Sequence, residues 1–339
     1  MKTIYINGKF LCQKVTGVQR VGIEIVKQLD KMDLGDIKFC IITPSKEYII
    51  TKLELTNIEL IELKGKPNYY WEQIKLAKYC KKNKPFDLLN FCNIAPVLYP
   101  GSCFIHDLAW IDTPKSYSWK FRFVYNFIIK HNIHKYKHIF TVSNVMKENI
   151  SNRYKVNNID VIYNSAEHLL NVEEKKPDIE LPEKYYFSLG SANPNKNFKA
   201  IIELAKKNPN DNFVISGNKH KSFNDIECDS LSNVIFTGYL NDNEICYLYK
   251  HCKALLFPSV YEGFGIPPLE ALMCGCNNVI CNDIPVLHEL YDGYVDFVDF
   301  NNIDTINIES NKKNIDINEL KEKFNWKISA IKILDKYKE

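Results

Sequence analysis

Two glutamates, Glu262 and Glu270, bracket the stretch EGFGIPPLE. Between them lie a Gly-Phe-Gly turn and a pair of prolines, the pattern of a strand that ends, reverses through glycine and enters a helix near Pro267. Proline is at home there, because its missing N–H would have no helical partner anyway. The backbone amides of Phe264, Gly265 and Ile266, together with the positive end of the helix dipole, then form a place for an anion, most simply phosphate. Glu270 is expected in the first helical turn and Glu262 on the strand side. Carboxylates beside a phosphate repel it unless they serve other partners. Vicinal hydroxyls are the natural ones, since an ionised carboxylate accepts two hydrogen bonds at once. A diphosphate with a sugar on either side offers both chemistries, as a nucleotide sugar does. A glutamate that merely favours the helix dipole would explain Glu270 but leaves Glu262 and both glycines without a reason.

Such a turn needs a strand before it and a helix after it, and the whole chain supplies that rhythm. Apolar runs (TIYI, KFCIIT, DLLNF, GSCFI, HIFTVS, DVIY) alternate with helical patterns such as GVQRVGIEIVKQLDKM up to residue 165. The charged, proline-marked stretch HLLNVEEKKPDIELPEK, 168–184, reads as a linker. A second series follows: YYFSLGS, FKAIIELAKKN, NFVISG, VIFTGYL, DNEICYLYKHC, ALLFPS, PPLEALMCG and NNVICND. Short apolar runs bounded by Gly, Asn or Pro are those of buried parallel strands. The expectation is α/β, with a Rossmann-like domain at 1–167, a linker at 168–184, a second Rossmann-like domain at 185–320 and a closing helix at 321–339. Trp326, Ile328, Ile331 and Leu334 are taken as one apolar face of that helix. Ligands of open parallel sheets sit beyond the carboxyl ends of strands, so two such domains should share a site in a cleft between them.

Composition excludes several alternatives. The 339 residues exceed what one core usually supports, and a formal charge of +3 is too balanced for a nucleic-acid partner. The opening MKTIYINGKF reads as a strand, not a leader, and no apolar run is long enough to span a membrane, so a cytoplasmic chain is expected. Eleven cysteines are scattered, Cys228 among them, and read as free thiols in a reducing compartment, mostly buried. No dinucleotide, P-loop or Gly-x-Ser-x-Gly signature is present.

With these residues in place, the stretch FPSVYEGFGIPPLEALMCG is similar to the E-x7-E region of retaining glycosyltransferases of family 4, on the GT-B fold. Further similarities run in the same order along the chain: TGVQR, IHDLAW, FTVSN, VIYNSAE, SLGSANPNKNF, FVISG and FTGYLNDNEICYLY. The resemblance implies a nucleotide-sugar donor and retention of anomeric configuration. It assigns Glu270 to the ribose hydroxyls and Glu262 to the transferred sugar. Amides of Phe264, Gly265 and Ile266 would meet the phosphates or sugar, and Lys196 would neutralise the departing diphosphate. His106 would face the donor sugar with Asp107 bracing its loop, Gly17 would let backbone approach a phosphate, and backbone near Tyr239 would contact the base. Core packing is an equally good reading of Tyr239. Where the family often has an arginine, this chain has Ser191 and Asn195, with Lys14 and Arg20 as the candidate replacements. No D-x-D sequence occurs, so the resemblance implies no metal, and no cofactor besides the donor substrate. GDP-mannose and UDP-sugars are the leading donors, and a glycan or polyprenyl-linked saccharide of O-antigen or capsule assembly is the acceptor. A same-fold phosphorylase or epimerase and a non-catalytic nucleotide-sugar binding protein are the alternatives.

Residues 115–138, KSYSWKFRFVYNFIIKHNIHKYKH, mix aromatic and basic residues with no Asp or Glu. They read either as a peripheral contact with an anionic membrane or as a domain helix with a solvated basic face.

Overall fold

The computed structural model describes residues 1–191, 193–217, 231–308, 313 and 315–339. They form two compact units, one of residues 1–164 with 325–339, the other of residues 165–324.

The first unit runs β1 (Lys2–Asn7), α1 (Gly17–Asp30), β2 (Ile37–Thr43), β3 (Glu59–Glu62), α2 (Ala77–Asn83), β4 (Asp87–Asn90), β5 (Ser102–Phe104), α3 (Ala109–Asp112), α4 (Trp119–Asn132), β6 (Ile139–Thr141), α5 (Asn144–Tyr154) and β7 (Ile159–Val161). Its sheet has the order β3-β2-β1-β4-β5-β6-β7, and every pair is parallel. The chain winds outward from β1 in one direction and from β4 in the other, so the topological switch falls between these two strands. Helix α1 turns Val21, Ile25 and Leu29, spaced four apart, onto Ile4, Ile6, Phe39 and Ile41 of the sheet. Strand β3 has no apolar run to announce it. It is an edge strand with both terminal glutamates exposed, charges that discourage pairing with another chain.

The second unit runs β8 (Tyr186–Leu189), α6 (Phe198–Lys207), β9 (Phe213–Ser216), β10 (Val234–Gly238), α7 (Asp242–His251), β11 (Ala254–Phe257), α8 (Ile266–Met273), β12 (Val279–Asn282), α9 (Pro285–Tyr291), β13 (Asp296–Val298) and α10 (Ile317–Lys323). Its parallel sheet, β10-β9-β8-β11-β12-β13, repeats the winding of the first, with the switch between β8 and β11. The stretch read as a linker lies against α7. Lys175 N donates to Asn243 O, Asn243 Nδ2 donates to Glu173 O, and Glu174 pairs with Lys250.

The last helix, α11 (Trp326–Lys338), returns to the first unit. The expected apolar face is corrected here. Trp326, Ala330, Ile333, Leu334 and Tyr337 are buried, while Ile328 and Ile331 are exposed. At 3.6 residues per turn, positions 328 and 331 lie far round the helix from Trp326, whereas 330, 333 and 337 line up with it. Ten cysteines lie among the described residues as free thiols, seven of them buried, and Cys228 lies outside those residues.

Candidate functional site

The second unit gathers most of the expected residues at the switch point of its sheet. Lys196 ends a short turn, Pro194–Lys196, in the loop after β8, and Glu262 lies in the loop after β11. The two loops are tied together: Val260 N donates to Asn195 O at 2.9 Å, and Lys196 Nζ donates to Glu262 Oε1 at 2.5 Å. Both side chains keep a limited exposed edge, 21% for Lys196 and 12% for Glu262, so the pair borders solvent without being dissolved in it. Gly190, at the end of β8, makes room for the lysine stem. A Cβ there would stand 3.2 Å from Lys196 Cγ and 3.2 Å from Phe198 Cζ. Ser191 is exposed and Asn195 buried at the positions where the resemblance led us to look for an arginine.

The Gly-Phe-Gly turn is held from three sides. Phe264 is buried, its ring edge-on to Tyr291 and Phe324 with centroids 6.2 and 5.6 Å away. Gly265 has φ +86°, a left-handed conformation, and an added Cβ would meet Leu287 Cδ2 at 2.8 Å, so both backbone and space demand glycine. Tyr291 Oη donates to Gly265 O at 2.7 Å. Helix α8 begins at Ile266 with prolines at its second and third positions, which leaves the amides up to Ile266 as the donors at its head. The helix closes with Gly275 at φ +89°. There Gly275 N donates to Leu272 O and Cys276 N to Ala271 O, the paired bonds of a Schellman cap.

One expectation changes. Glu270 is the fifth residue of α8, in its second turn and not its first. The helix opens one residue before Pro267, which carries Glu270 past the reach of the dipole's first turn. Its side chain, inclined back toward the helix start as helical side chains are, is instead gripped by two neighbours. Tyr249 Oη donates to Oε2 at 2.9 Å, and His168 Nε2 lies 3.2 Å from Oε1. His168 belongs to the turn Glu167–Leu169, inside the stretch read as linker, and no motif announced it.

Tyr239 follows β10 at the sheet's edge and is 67% exposed, which rules out the core-packing reading.

In the first unit, His106 follows β5 and is 5% exposed. Its Nε2 lies 2.6 Å from Phe91 O, which can only accept, so this nitrogen carries the proton. Its ring stacks on Phe104 at 5.7 Å, and its amide donates to Asn93 Oδ1. Burial pushes the imidazole pKa down to about 4, against a smaller upward effect of the Phe91 carbonyl, so the ring is neutral. Asp107 Oδ1 accepts from Ala109 N, which braces the loop. Gly17 is exposed at the first position of α1, where Thr16 N and Oγ1 both donate to Gln19 Oε1. Its φ is not left-handed, so backbone conformation is not what calls for glycine there. Arg20 lies 3.8 Å from Glu24 within α1.

Beyond the carboxyl ends of β1 and β4 lies a polar cluster that sequence reading missed. Glu72, with 2% of its side chain exposed, accepts from Lys9 Nζ at 2.8 Å and Asn7 Nδ2 at 2.9 Å. These residues line a small pocket with Gln13, Phe91 and Tyr125. Glu72 sits in a π-helical stretch, Trp71–Leu76, a distortion frequent at functional positions. Only its distance in sequence from Lys9 hid the pair.

Residues 171–323 match the family described as glycosyl transferases group 1. Over 204 residues, 58% of this chain, the sequence is 32% identical to the O-antigen chain mannosyltransferase RfbU of Salmonella typhimurium, covering 55% of that protein. Over 130 residues, 34% of this chain, it is 35% identical to the serotype-specific mannosyltransferase WbdA of Escherichia coli, covering 15% of it. The match thus spans about half the length of the first relative and less of the second. Among solved structures, Anabaena Alr3699/HepE in complex with UDP and glucose superposes with a TM-score of 0.68 at 15% identity, over 100% of this chain and 99% of that one. Sucrose-phosphate synthase from Thermosynechococcus elongatus gives 0.69 at 14% identity, over 100% and 98%. Through residues 171–323 the chain is similar to the glycosyl transferases group 1, and its two parallel-sheet units have the GT-B fold.

Proposed function

We propose that the chain is a retaining glycosyltransferase that moves a hexose from a nucleotide diphosphate sugar, GDP-mannose or a UDP-sugar, to a glycan or lipid-linked saccharide in surface polysaccharide assembly, O-antigen or capsule. The observation that carries the proposal is the Lys196–Glu262 pair beside the amides of Gly265 and Ile266, at a sheet switch point. It brings together a cation and helix-start donors for a diphosphate and a carboxylate for sugar hydroxyls. The mannosyltransferases among the relatives support the donor class and the pathway.

In this reading the chemistry is charge stabilisation. As the bond between the sugar and the diphosphate lengthens, negative charge grows on the leaving phosphate, where Lys196 and the amides of Phe264, Gly265 and Ile266 stabilise it. No metal is required by these groups. Glu262 orients the transferred sugar without acting as a base, and Glu270 grips the ribose. The departing phosphate takes the acceptor proton on the face it leaves, which gives retention. His106, neutral with its proton on Nε2, presents Nδ1 as an acceptor for a donor-sugar hydroxyl. Gly17 allows close backbone approach to a phosphate, and the base lies near Tyr239. The Lys9–Glu72 pocket receives an acceptor hydroxyl.

Residues 115–138 support a peripheral membrane contact on the cytoplasmic face. Trp119, Phe123 and Phe127, four apart on α4, are 70, 67 and 56% exposed. Lys120, Lys130 and His131 are exposed on the same helix, and His134 is exposed in the turn that follows it. Among the described residues no helix is long and apolar enough to cross a membrane.

The test is donor turnover. The chain is incubated with GDP-mannose and UDP-sugars, with and without saccharide acceptors, and nucleoside diphosphate release and product anomer are measured. Acceptor-stimulated release with retained configuration is expected. Phosphate-dependent cleavage, epimerisation without acceptor, or binding with no turnover would each replace the proposal.

A further inference from the structure

Glu270 is held more firmly than an acid at a solvent edge requires. Its Oε2 accepts from Tyr249 Oη at 2.9 Å, and its Oε1 faces His168 Nε2 at 3.2 Å. The two holders come from separate elements, α7 and the turn at Glu167–Leu169. Tyr249 is fully buried, and its phenol pKa is pushed well above the usual range, by burial first and then by the Glu270 charge, so it remains a donor. His168 has 4% of its side chain exposed. An ionised carboxylate can only accept, so the Nε2 facing it carries a proton. The other ring nitrogen, Nδ1, is buried with no hydrogen-bond partner. Leaving a buried polar nitrogen unsatisfied is costly, so the ring is not placed there for its own hydrogen-bonding benefit. What it does achieve is orientation. One donor on each oxygen fixes the plane and direction of a carboxylate that would otherwise turn freely about its last bond.

We infer that His168 and Tyr249 are positioning residues that lock the Glu270 carboxylate in the orientation that grips both hydroxyls of a ribose, and so make the site select ribonucleotides over 2′-deoxyribonucleotides. The inference rests on the ribose role proposed for Glu270. A carboxylate fixed by two donors meets a vicinal diol with both oxygens at once. Set loose, it meets a single hydroxyl nearly as well, and the preference for the diol falls.

The test is calorimetric affinity for UDP and GDP against dUDP and dGDP, on the full chain. The unmodified protein should prefer the ribo form by about tenfold to hundredfold, the range for a hydrogen bond to a charged group. Tyr249→Phe removes one hydroxyl and nothing else. His168→Phe removes the second donor, and His168→Gln keeps an N–H near the same place. The ribo preference should fall toward unity in His168→Phe, fall in Tyr249→Phe, and largely return in His168→Gln. A general loss of packing would weaken both nucleotide forms alike and leave their ratio unchanged, which overturns the inference. If Glu270→Gln abolishes the preference while His168→Phe and Tyr249→Phe retain it, the inference falls and the ribose role of Glu270 survives. If Glu270→Gln also leaves the ratio unchanged, or the unmodified protein has no preference, the ribose role itself falls.

Discussion

Lys196 and Glu262, on loops that follow neighbouring strands β8 and β11, meet at 2.5 Å. In the proposed reading, a diphosphate entering beside Lys196 would compete with Glu262 for its ammonium, and a sugar hydroxyl donating to Glu262 would compensate that carboxylate for what it shares. The pair would then couple the two halves of the donor. Lys196→Ala should lower kcat by about a hundredfold to a thousandfold, the usual loss for one stabilising donor at developing charge. Glu262→Gln should lower kcat at least about tenfold, and the double variant should lose less than the product of the single losses. Steady-state kinetics on all three checks this, and near-normal turnover of Glu262→Gln would show that its charge is not needed.

Gly265 is required twice over, by its left-handed φ and by the space Leu287 occupies. Gly265→Ala should destabilise the fold by about 1–3 kcal/mol and abolish nucleotide binding. Gly190→Ala presses only on the flexible Lys196 stem and the Phe198 ring. It should leave the denaturation midpoint nearly unchanged and still reduce turnover. Urea unfolding beside kinetics separates the two effects.

The buried imidazole of His106 binds a proton only near pH 4 in the folded chain, against its ordinary 6.5 once unfolded. Unfolding therefore takes up a proton between these values, and stability falls as pH falls from 6.5 toward 4. The contribution reaches about 3 kcal/mol at the lower end. His106→Gln should flatten this part of the stability profile. His138, whose pKa is also lowered by burial, acts in the same direction in both proteins, so the difference between their profiles isolates His106. Identical profiles from pH 4 to 6.5 would count against a buried neutral ring.

The exposed arc of α4 should bind vesicles containing phosphatidylserine or phosphatidylglycerol at low salt and release them as salt rises. Replacing Trp119, Phe123 and Phe127 together with serine should abolish binding, while Lys120→Gln with Lys130→Gln should weaken it by about 1 kcal/mol per lysine. Co-sedimentation is the measurement. Indifference to anionic vesicles at low salt would leave this surface as a solvated helix face.

If the Lys9–Glu72 pocket receives the acceptor as proposed, Glu72 is the residue that tests it. Glu72→Gln should raise the acceptor KM severalfold and leave the donor KM and the slow acceptor-free hydrolysis of donor as they were. An equal change in both KM values would return Glu72 to a purely structural role.

Much of this architecture is readable from local pattern because parallel strands buried on both faces must be short apolar runs, and those runs mark eleven of the thirteen strands. The exceptions are instructive. Strand β3 is an exposed, glutamate-bearing edge, and β13 and α9 follow the last motif without a strong apolar period. The face of α11 was misjudged because Ile328 and Ile331 are apolar yet point outward, which residue type alone does not reveal. At the site, Lys196, Glu262 and the Gly265 turn were legible because each stands just past a strand. His168, Tyr249 and Glu72 were not, because their importance lies in partners distant along the chain: 102, 21 and 63 positions away from Glu270, Glu270 and Lys9.

Helix α11 brings the chain back to the unit in which it began, so the second unit is an insertion within the first. Its two ends are neighbours, since Ser165 Oγ donates to Phe324 O at 2.9 Å. A fragment of residues 165–324 therefore starts and stops at one point and carries a complete sheet, so it should be excisable as an autonomous nucleotide-binding piece. Cutting the chain at 324, by contrast, strips Trp326, Ile333 and Tyr337 from the other body and should unravel the half that the cut was not aimed at.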